Sequence, residues 1–264
     1  MLAPYEGEPD NLGIASTDGP ALTAMVRQAS RAGLAAFVHA IGDRANREVL
    51  DAVEASRRAG EGPHLRHRIE HVQILHPSDL SRLARLGVVA SMQPLHATQD
   101  MLLADALWGN RCTGAYAWRS LLNSGAVLAF GSDAPVEDLS VVAGIHAAVT
   151  RRRPDGSPGP DGWIPQERLS AVQAVRAYTL GAAYAGGEEA LKELLNIMEV
   201  VPNHRDAVWN LGQFLKMMGK DQHASEIYSN YLKNHPEEKD IAEALGHWEG
   251  GLARTGEAAS IHPL

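Results

Sequence analysis

An α/β fold of parallel βα units, followed by a purely helical segment, is what this sequence predicts, and three observations predict it. Between residues 19 and 187, short apolar runs alternate with helix-like segments of about 10 to 15 residues, the spacing of successive βα units. The runs are continuously apolar rather than alternating, as strands covered on both faces are. After "GAAYAGGEE" the strand-like runs stop and a recurrence begins. Ala190 returns as Ala224, Pro202 as Pro236 and Leu211-Gly212 as Leu245-Gly246, each 34 positions on.

The elements follow in order. "GPALTAMVRQASRAG" reads as a helix, with Pro20 in its first turn, Gly33 just past its last, and Leu22, Met25, Val26 and Ala29 on one face. The strand "LAAFVHA" comes next, then a helix in "ANREVLDAVEASRRAG" and the strand "HRIEHVQ". A helix in "PSDLSRLARLG", the strand "VVASMQP", a helical "YAWRSLLNSG" and the strand "VLAFGSDAP" complete the series. Beyond it, "EEALKELLNIMEVVP", "VWNLGQFLKMMGKDQHASEIYSNYLKNHP" and "KDIAEALGHWE" read as helices, and "GGLARTGEAASIHPL" as a flexible tail.

Composition removes several classes of function. With 264 residues, 45% of them hydrophobic, the chain can bury one good core or two modest ones. A formal charge of -8 and scattered basic residues argue against a nucleic-acid partner. The basic run Arg151 to Arg153 precedes "PDGSPGPDG" and reads as a solvated loop edge. No apolar run approaches the roughly 20 residues of a membrane span. Cys112 is the lone cysteine and no leader pattern opens the chain, so the expected location is cytoplasmic.

The residues with chemistry gather at strand ends. Alternation puts Ala35, Phe37 and His39 on one face of the first strand, with His39 at its C-terminal end and Gly42-Asp43 turning the chain after it. The second strand ends near His71, and the fourth leads to Asp133 between the small residues Ser132 and Ala134. In parallel α/β barrels that end of the sheet is where sites are built. Two imidazoles and a carboxylate suit a divalent cation such as zinc. His96, after the third strand, reaches toward the same mouth. His64, His67, His76, His204, His223 and His235 read as surface or capping residues.

"VHAIGDRAN", "HRIEHVQ", "SMQPLHATQDM" and "FGSDAPVEDLS", in that order, resemble the second half of the barrel in the amidohydrolase superfamily, in the family-3 branch that includes N-substituted formamide deformylases. "LSAVQAVRAYTLGAAYAGGEE" is similar to the helices after the last barrel strand there, so the resemblance spans about residues 3 to 188. It implies a partial (βα)8 TIM-type barrel made of the last four βα units. It also implies His39, His71 and Asp133 as metal ligands, Asp133 as the proton acceptor, and His96 and Arg44 as substrate-binding residues. The implied chemistry is hydrolysis of a small, non-peptide amide-type substrate by metal-activated water.

The 34-residue recurrence resembles the tetratricopeptide repeat, with one full repeat over residues 208 to 236 and a half-repeat on either side. The domains expected are a partial barrel over 1-187, repeat-like helices over 188-250 and a tail over 251-264. Tyr231 stands where that family usually has a small residue, so looser packing is expected there. Trp209, Phe214, Tyr228 and Tyr231 are expected to fill seams between helices. A peptide or protein could dock on them, and a non-catalytic interaction module, or an inactive fusion or chimera, is the alternative function.

The amidohydrolase pattern also includes a His-x-His pair and a later bridging lysine, and no His-x-His occurs in this sequence. A half-barrel would expose its sheet edges, so a homodimer that closes the sheet is expected.

Overall fold

The computed structural model describes residues 1–186, 205–217 and 219–246. The chain divides into two compact units, Met1–Ala185 and Gly186–Leu264. The first opens with helix α1 (Gly19–Arg31), capped by Asp18, whose carboxylate accepts the Ala21 N–H at 2.7 Å. It continues through β1 (Phe37–Ala40), α2 (Asp43–Arg58), β2 (Arg68–His71), α3 (Leu80–Leu86), β3 (Val89–Met92), α4 (Pro94–Trp108), α5 (Trp118–Asn123), β4 (Leu128–Phe130), α6 (Val141–Thr150), α7 (Ala171–Arg176) and α8 (Ala182–Gly186).

The four strands form one parallel sheet in the order β1-β2-β3-β4. Each strand is therefore hydrogen-bonded to its sequence neighbour, and every crossover carries a helix, as short parallel connections require. Ala40 lies opposite His71 and Met92 opposite Phe130, so the C-terminal ends of the strands form one rim. The core between sheet and helices is filled by Leu50, Val53, Ile69, Leu83, Met92 and Trp118, each essentially inaccessible to water.

Three expectations need correction. Strands covered on both faces describe β3 and β4 but not β1, where Phe37 and His39 are exposed while Ala40 is buried; edge position alone is not the cause, since β4 also has one sheet neighbour and is buried throughout. In α1, Val26 and Ser30 are the buried residues and Met25 is 60% exposed. Arg151 is not a solvated loop residue. Its guanidinium is fully buried and donates to the carbonyls of Trp163 (2.5 Å), Tyr116 (2.9 Å) and Ala115 (3.4 Å), while lying over the Trp118 and Trp163 rings. Three carbonyl acceptors and two aromatic faces offset the desolvation of that charge.

In the second unit the helix Arg205–Met217 packs on Asp221–Leu232, and a helical stretch covers 239–246. Tyr228, fully buried, stacks on Trp209 at 5.8 Å and donates to its carbonyl at 2.9 Å. Tyr231 is buried as well and stacks on His235 with ring centroids 4.4 Å apart. Arg205 pairs with Glu238 at 2.8 Å and with Asp240, tying the two ends of the unit's described helices. The helix read in "EEALKELLNIMEVVP", the tail over 251-264, and His204 lie outside the described residues. Among the described residues no helix is long and apolar enough to cross a membrane.

Candidate metal centre

The rim of the sheet collects the candidate ligands because each lies at the C-terminal end of a strand or within four residues beyond it. His71 is the last residue of β2 and takes φ 80°, and Val72 after it takes φ 46°. A left-handed conformation at a β-branched residue is sparsely populated, and it turns the chain abruptly just where the imidazole leaves the sheet. Asp133, three residues beyond β4, repeats the device with φ 60°. His96 enters from the first turn of α4, whose start at Pro94 follows β3 after one residue, Gln93.

Ligand atoms of His71, His96 and Asp133 lie within 4.8 Å of one another. His71 Nδ1 is 2.9 Å from Gln93 Oε1; a carbonyl oxygen accepts, so Nδ1 is the donor, and in the neutral ring Nε2 is the nitrogen free to meet a cation. His96 is 6% exposed, and neither of its ring nitrogens has a hydrogen-bond partner among the described residues. Asp133 Oδ2 stands 3.8 Å from His96 Nε2, and Glu137 Oε1 stands 3.9 Å from the same nitrogen.

Burial holds the His96 imidazole below its ordinary range, and nearby His71 lowers it further, against the opposite pull of Asp100 and Asp133. A neutral imidazole is the form that ligates metal. The Glu137 carboxyl is raised by burial and by the charges of Asp100 and Asp133. Asp100 in turn accepts the Tyr116 hydroxyl at 2.8 Å, which anchors this acidic wall to the buried core. Two imidazoles and a carboxylate converging on one point, one imidazole orphaned and another oriented by an amide, fit a borderline dication.

The residues expected from sequence are distributed unevenly. His71, His96 and Asp133 converge. His39 lies outside that group, exposed on β1, with its ring edge-on to His71 at 4.5 Å; burial and His71 lower its pKa. Arg44 sits in the first turn of α2 at the same end of the sheet, but its guanidinium pairs with Glu48 at 2.8 Å. His67 is not a surface histidine: it is buried, its Nδ1 accepting the Ala36 N–H at 3.0 Å. Gln93, Asp100, Tyr116 and Glu137 do not stand out in the sequence. The signal for Gln93 is its place immediately after β3, equivalent to the position of a rim residue.

The sequence pattern of the amidohydrolase family matches residues 1–196. Over 183 residues the chain is 39% identical to Protein LONG AFTER FAR-RED 3 of Arabidopsis thaliana, covering 69% of this chain and 31% of that one. Over 173 residues it is 30% identical to the N-substituted formamide deformylase of Arthrobacter pascens, covering 61% of this chain and 29% of that one. An uncharacterized metal-dependent hydrolase from Pyrococcus horikoshii OT3 superposes with a TM-score of 0.61 at 27% identity, covering 69% of this chain and 36% of that one. The chain thus spans about a third of the length of these relatives. Its parallel sheet, its strand-end histidines and the match over its first 196 residues make it a member of the amidohydrolase family.

Proposed function

We propose that the chain carries part of a barrel whose rim hydrolyses a non-peptide C–N bond, in a small amide or N-acyl amine, with a divalent cation and water. The observation that carries this reading is the convergence of His71, His96 and Asp133 within 4.8 Å at the C-terminal rim of a parallel sheet. Zinc suits the mixed nitrogen and oxygen donors. When bound, such a cation supplies Lewis acidity, easing the removal of a proton from water near neutral pH and polarising a carbonyl.

The chain's own groups do the rest. Asp133, exposed at the mouth, accepts the proton of the attacking water and delivers it to the leaving nitrogen. Gln93 keeps His71 in the tautomer that leaves Nε2 free. His39 and Arg44 border the approach to the rim. Cys112 is no rival nucleophile: it is buried, donates to the Ala104 carbonyl at 3.0 Å, and burial pushes its thiol up to about 12. The bond class draws support from the relative named as an N-substituted formamide deformylase.

Metal content of the purified chain, measured by mass spectrometry beside His71→Ala, tests the reading. About one equivalent of zinc in the wild type, lost in the variant, is expected. Absence of metal from both would overturn it.

A second reading, protein binding by tetratricopeptide-like helices, draws on one feature. Gly212 faces the Tyr228 ring so closely that a Cβ would overlap it, the kind of small-residue seam that lets repeat helices pack. That reading expects indifference of partner binding to His71→Ala.

A further inference from the structure

One carboxylate beside the metal centre has no role in the scheme above. Glu137 lies in the loop between β4 and α6, and its Oε1 stands 3.9 Å from His96 Nε2, too far for a hydrogen bond. It does not join the ligand atoms of His71, His96 and Asp133 that lie within 4.8 Å of one another, so it flanks the centre on the His96 side. Its side chain is 16% exposed and accepts no hydrogen bond among the described residues. The imidazole it faces is more than nine-tenths buried, and neither ring nitrogen has a partner among those residues. Buried polar groups are almost always paired, so this flank calls for a ligand.

Charge says which kind. Asp100, Asp133 and Glu137 surround His96, and no lysine or arginine is among the groups whose charge acts on His96 or Glu137. Asp100 is engaged by the Tyr116 hydroxyl at 2.8 Å and Asp133 belongs to the metal centre, which leaves Glu137 as the carboxylate without a partner. A bound dication offsets two of these three negative charges. The one that remains is matched by a single positive charge on the ligand.

We propose that Glu137 receives an ammonium group of the substrate, so that the amide taken at this rim is a mono-N-acylated diamine, protonated at its free amine. This deepens the hydrolase reading above and rests on it. Asp133 hands its proton to the leaving nitrogen, and Glu137 faces the same His96 nitrogen from the same loop, so the ammonium belongs to the amine portion. An ammonium N–H donates to a carboxylate at about 2.8 Å and more strongly than a neutral donor does. An alkyl group in its place would desolvate Glu137 and give nothing back. A bridging water would also satisfy Glu137, but it would leave binding indifferent to the charge of the ligand.

Two isosteric probes test it by titration calorimetry of the full chain: N-acetyl-1,3-diaminopropane, cationic at neutral pH, and uncharged N-butylacetamide. Each is titrated into the zinc-loaded and the metal-free wild type, into Glu137→Gln and, as a control for loss of a neighbouring charge, into Asp138→Asn. Circular dichroism checks that each is folded. The cationic probe should bind the wild type about tenfold more tightly than the neutral one, with or without zinc. Glu137→Gln should lose that preference with little change for N-butylacetamide, and Asp138→Asn should keep it. Should Glu137→Gln fail to fold, Glu137→Asp decides: its shorter arm should weaken the preference, and an unchanged preference would overturn the assignment. Equal affinity for the two probes, binding of neither, or a preference that survives Glu137→Gln would overturn this proposal and leave the metal reading standing. A chain that takes up no zinc while the preference persists would overturn the metal reading and leave Glu137 as an ammonium-binding residue.

Discussion

His67 shows how much a single buried side chain carries. Its Nδ1 accepts the Ala36 N–H at 3.0 Å, and its Nε2 lies 3.4 Å from the Ser30 hydroxyl, which itself donates to the Val26 carbonyl. The ring must therefore be neutral with its proton on Nε2, and protonating Nδ1 would break the bond to Ala36. Burial, reinforced by Arg57, holds this imidazole down to about 4. In the unfolded chain the ring takes its proton near the ordinary histidine value, so the stabilisation is complete above about pH 6.5 and is lost as the pH falls towards 4. The loss is on the order of 3 kcal/mol. Urea unfolding at pH 7.5 and pH 4.5 checks it: His67→Asn, less stable at the higher pH, should lose less on acidification than the wild type does, and an equal loss in both would reject the assignment. The same scale shows what the sequence could and could not reveal of the candidate site. His71, His96 and Asp133 are legible because histidine and aspartate at the ends of apolar runs are unusual. Glu137 and Gln93 are not, because one sits in a loop with no periodicity and the other looks like the polar end of a strand.

At the scale of elements, Asn46 joins two βα units. It is fully buried in α2, and its amide NH₂ lies 3.2 Å from the Ala40, Ile41 and Ile74 carbonyls and 2.9 Å from that of Gly42. Two hydrogens are thus shared among four acceptors that terminate β1 and follow β2. Asn46→Ala should cost about 1–3 kcal/mol by leaving the Ile74 carbonyl without its donor and taking a second donor from the Ala40, Ile41 and Gly42 carbonyls, which keep only their backbone N–H partners. Asn46→Asp should cost more, because it points a carboxylate oxygen at carbonyl oxygens. Denaturant midpoints order the two, and equal stability of the Asn46→Asp and Asn46→Ala variants would show that the introduced carboxylate does not face these carbonyls. Elements of this kind are legible in the sequence wherever apolar residues make a stripe or a run. The four strands fall within the runs read for them, and α1, α2, α3 and α5 within a few residues of theirs. Helix α4 is not legible, because Pro94 looks like the end of a strand and its apolar residues go all round: Met101 is buried while Leu102 and Leu103 are about three-fifths exposed. Helix α6 escapes for the same reason, with Ala147 and Ala148 buried and Val142 77% exposed.

The scale of the whole molecule poses a competition between contact and charge. Among the described residues β1 is hydrogen-bonded only to β2, and Phe37 on it is 54% exposed, near Leu34 at 62%. An open strand edge beside apolar side chains is a template for pairing with another chain. Two features oppose it. The Arg68 guanidinium lies 3.8 Å from the centre of the Phe37 ring and shields it in part, while Glu70 holds that arginine at 2.5 Å. The formal charge of -8 also makes two copies repel. Range decides between them, since that repulsion is screened beyond about 8 Å at physiological salt whereas strand pairing acts at contact. Self-association through β1 should therefore prevail, and it should strengthen as salt is raised. Sedimentation velocity should show a dimer whose fraction grows with protein concentration and with salt, and Phe37→Glu should shift the chain towards monomer. A single monomeric species at every concentration and ionic strength would mean that Arg68 and bound water satisfy this edge by themselves.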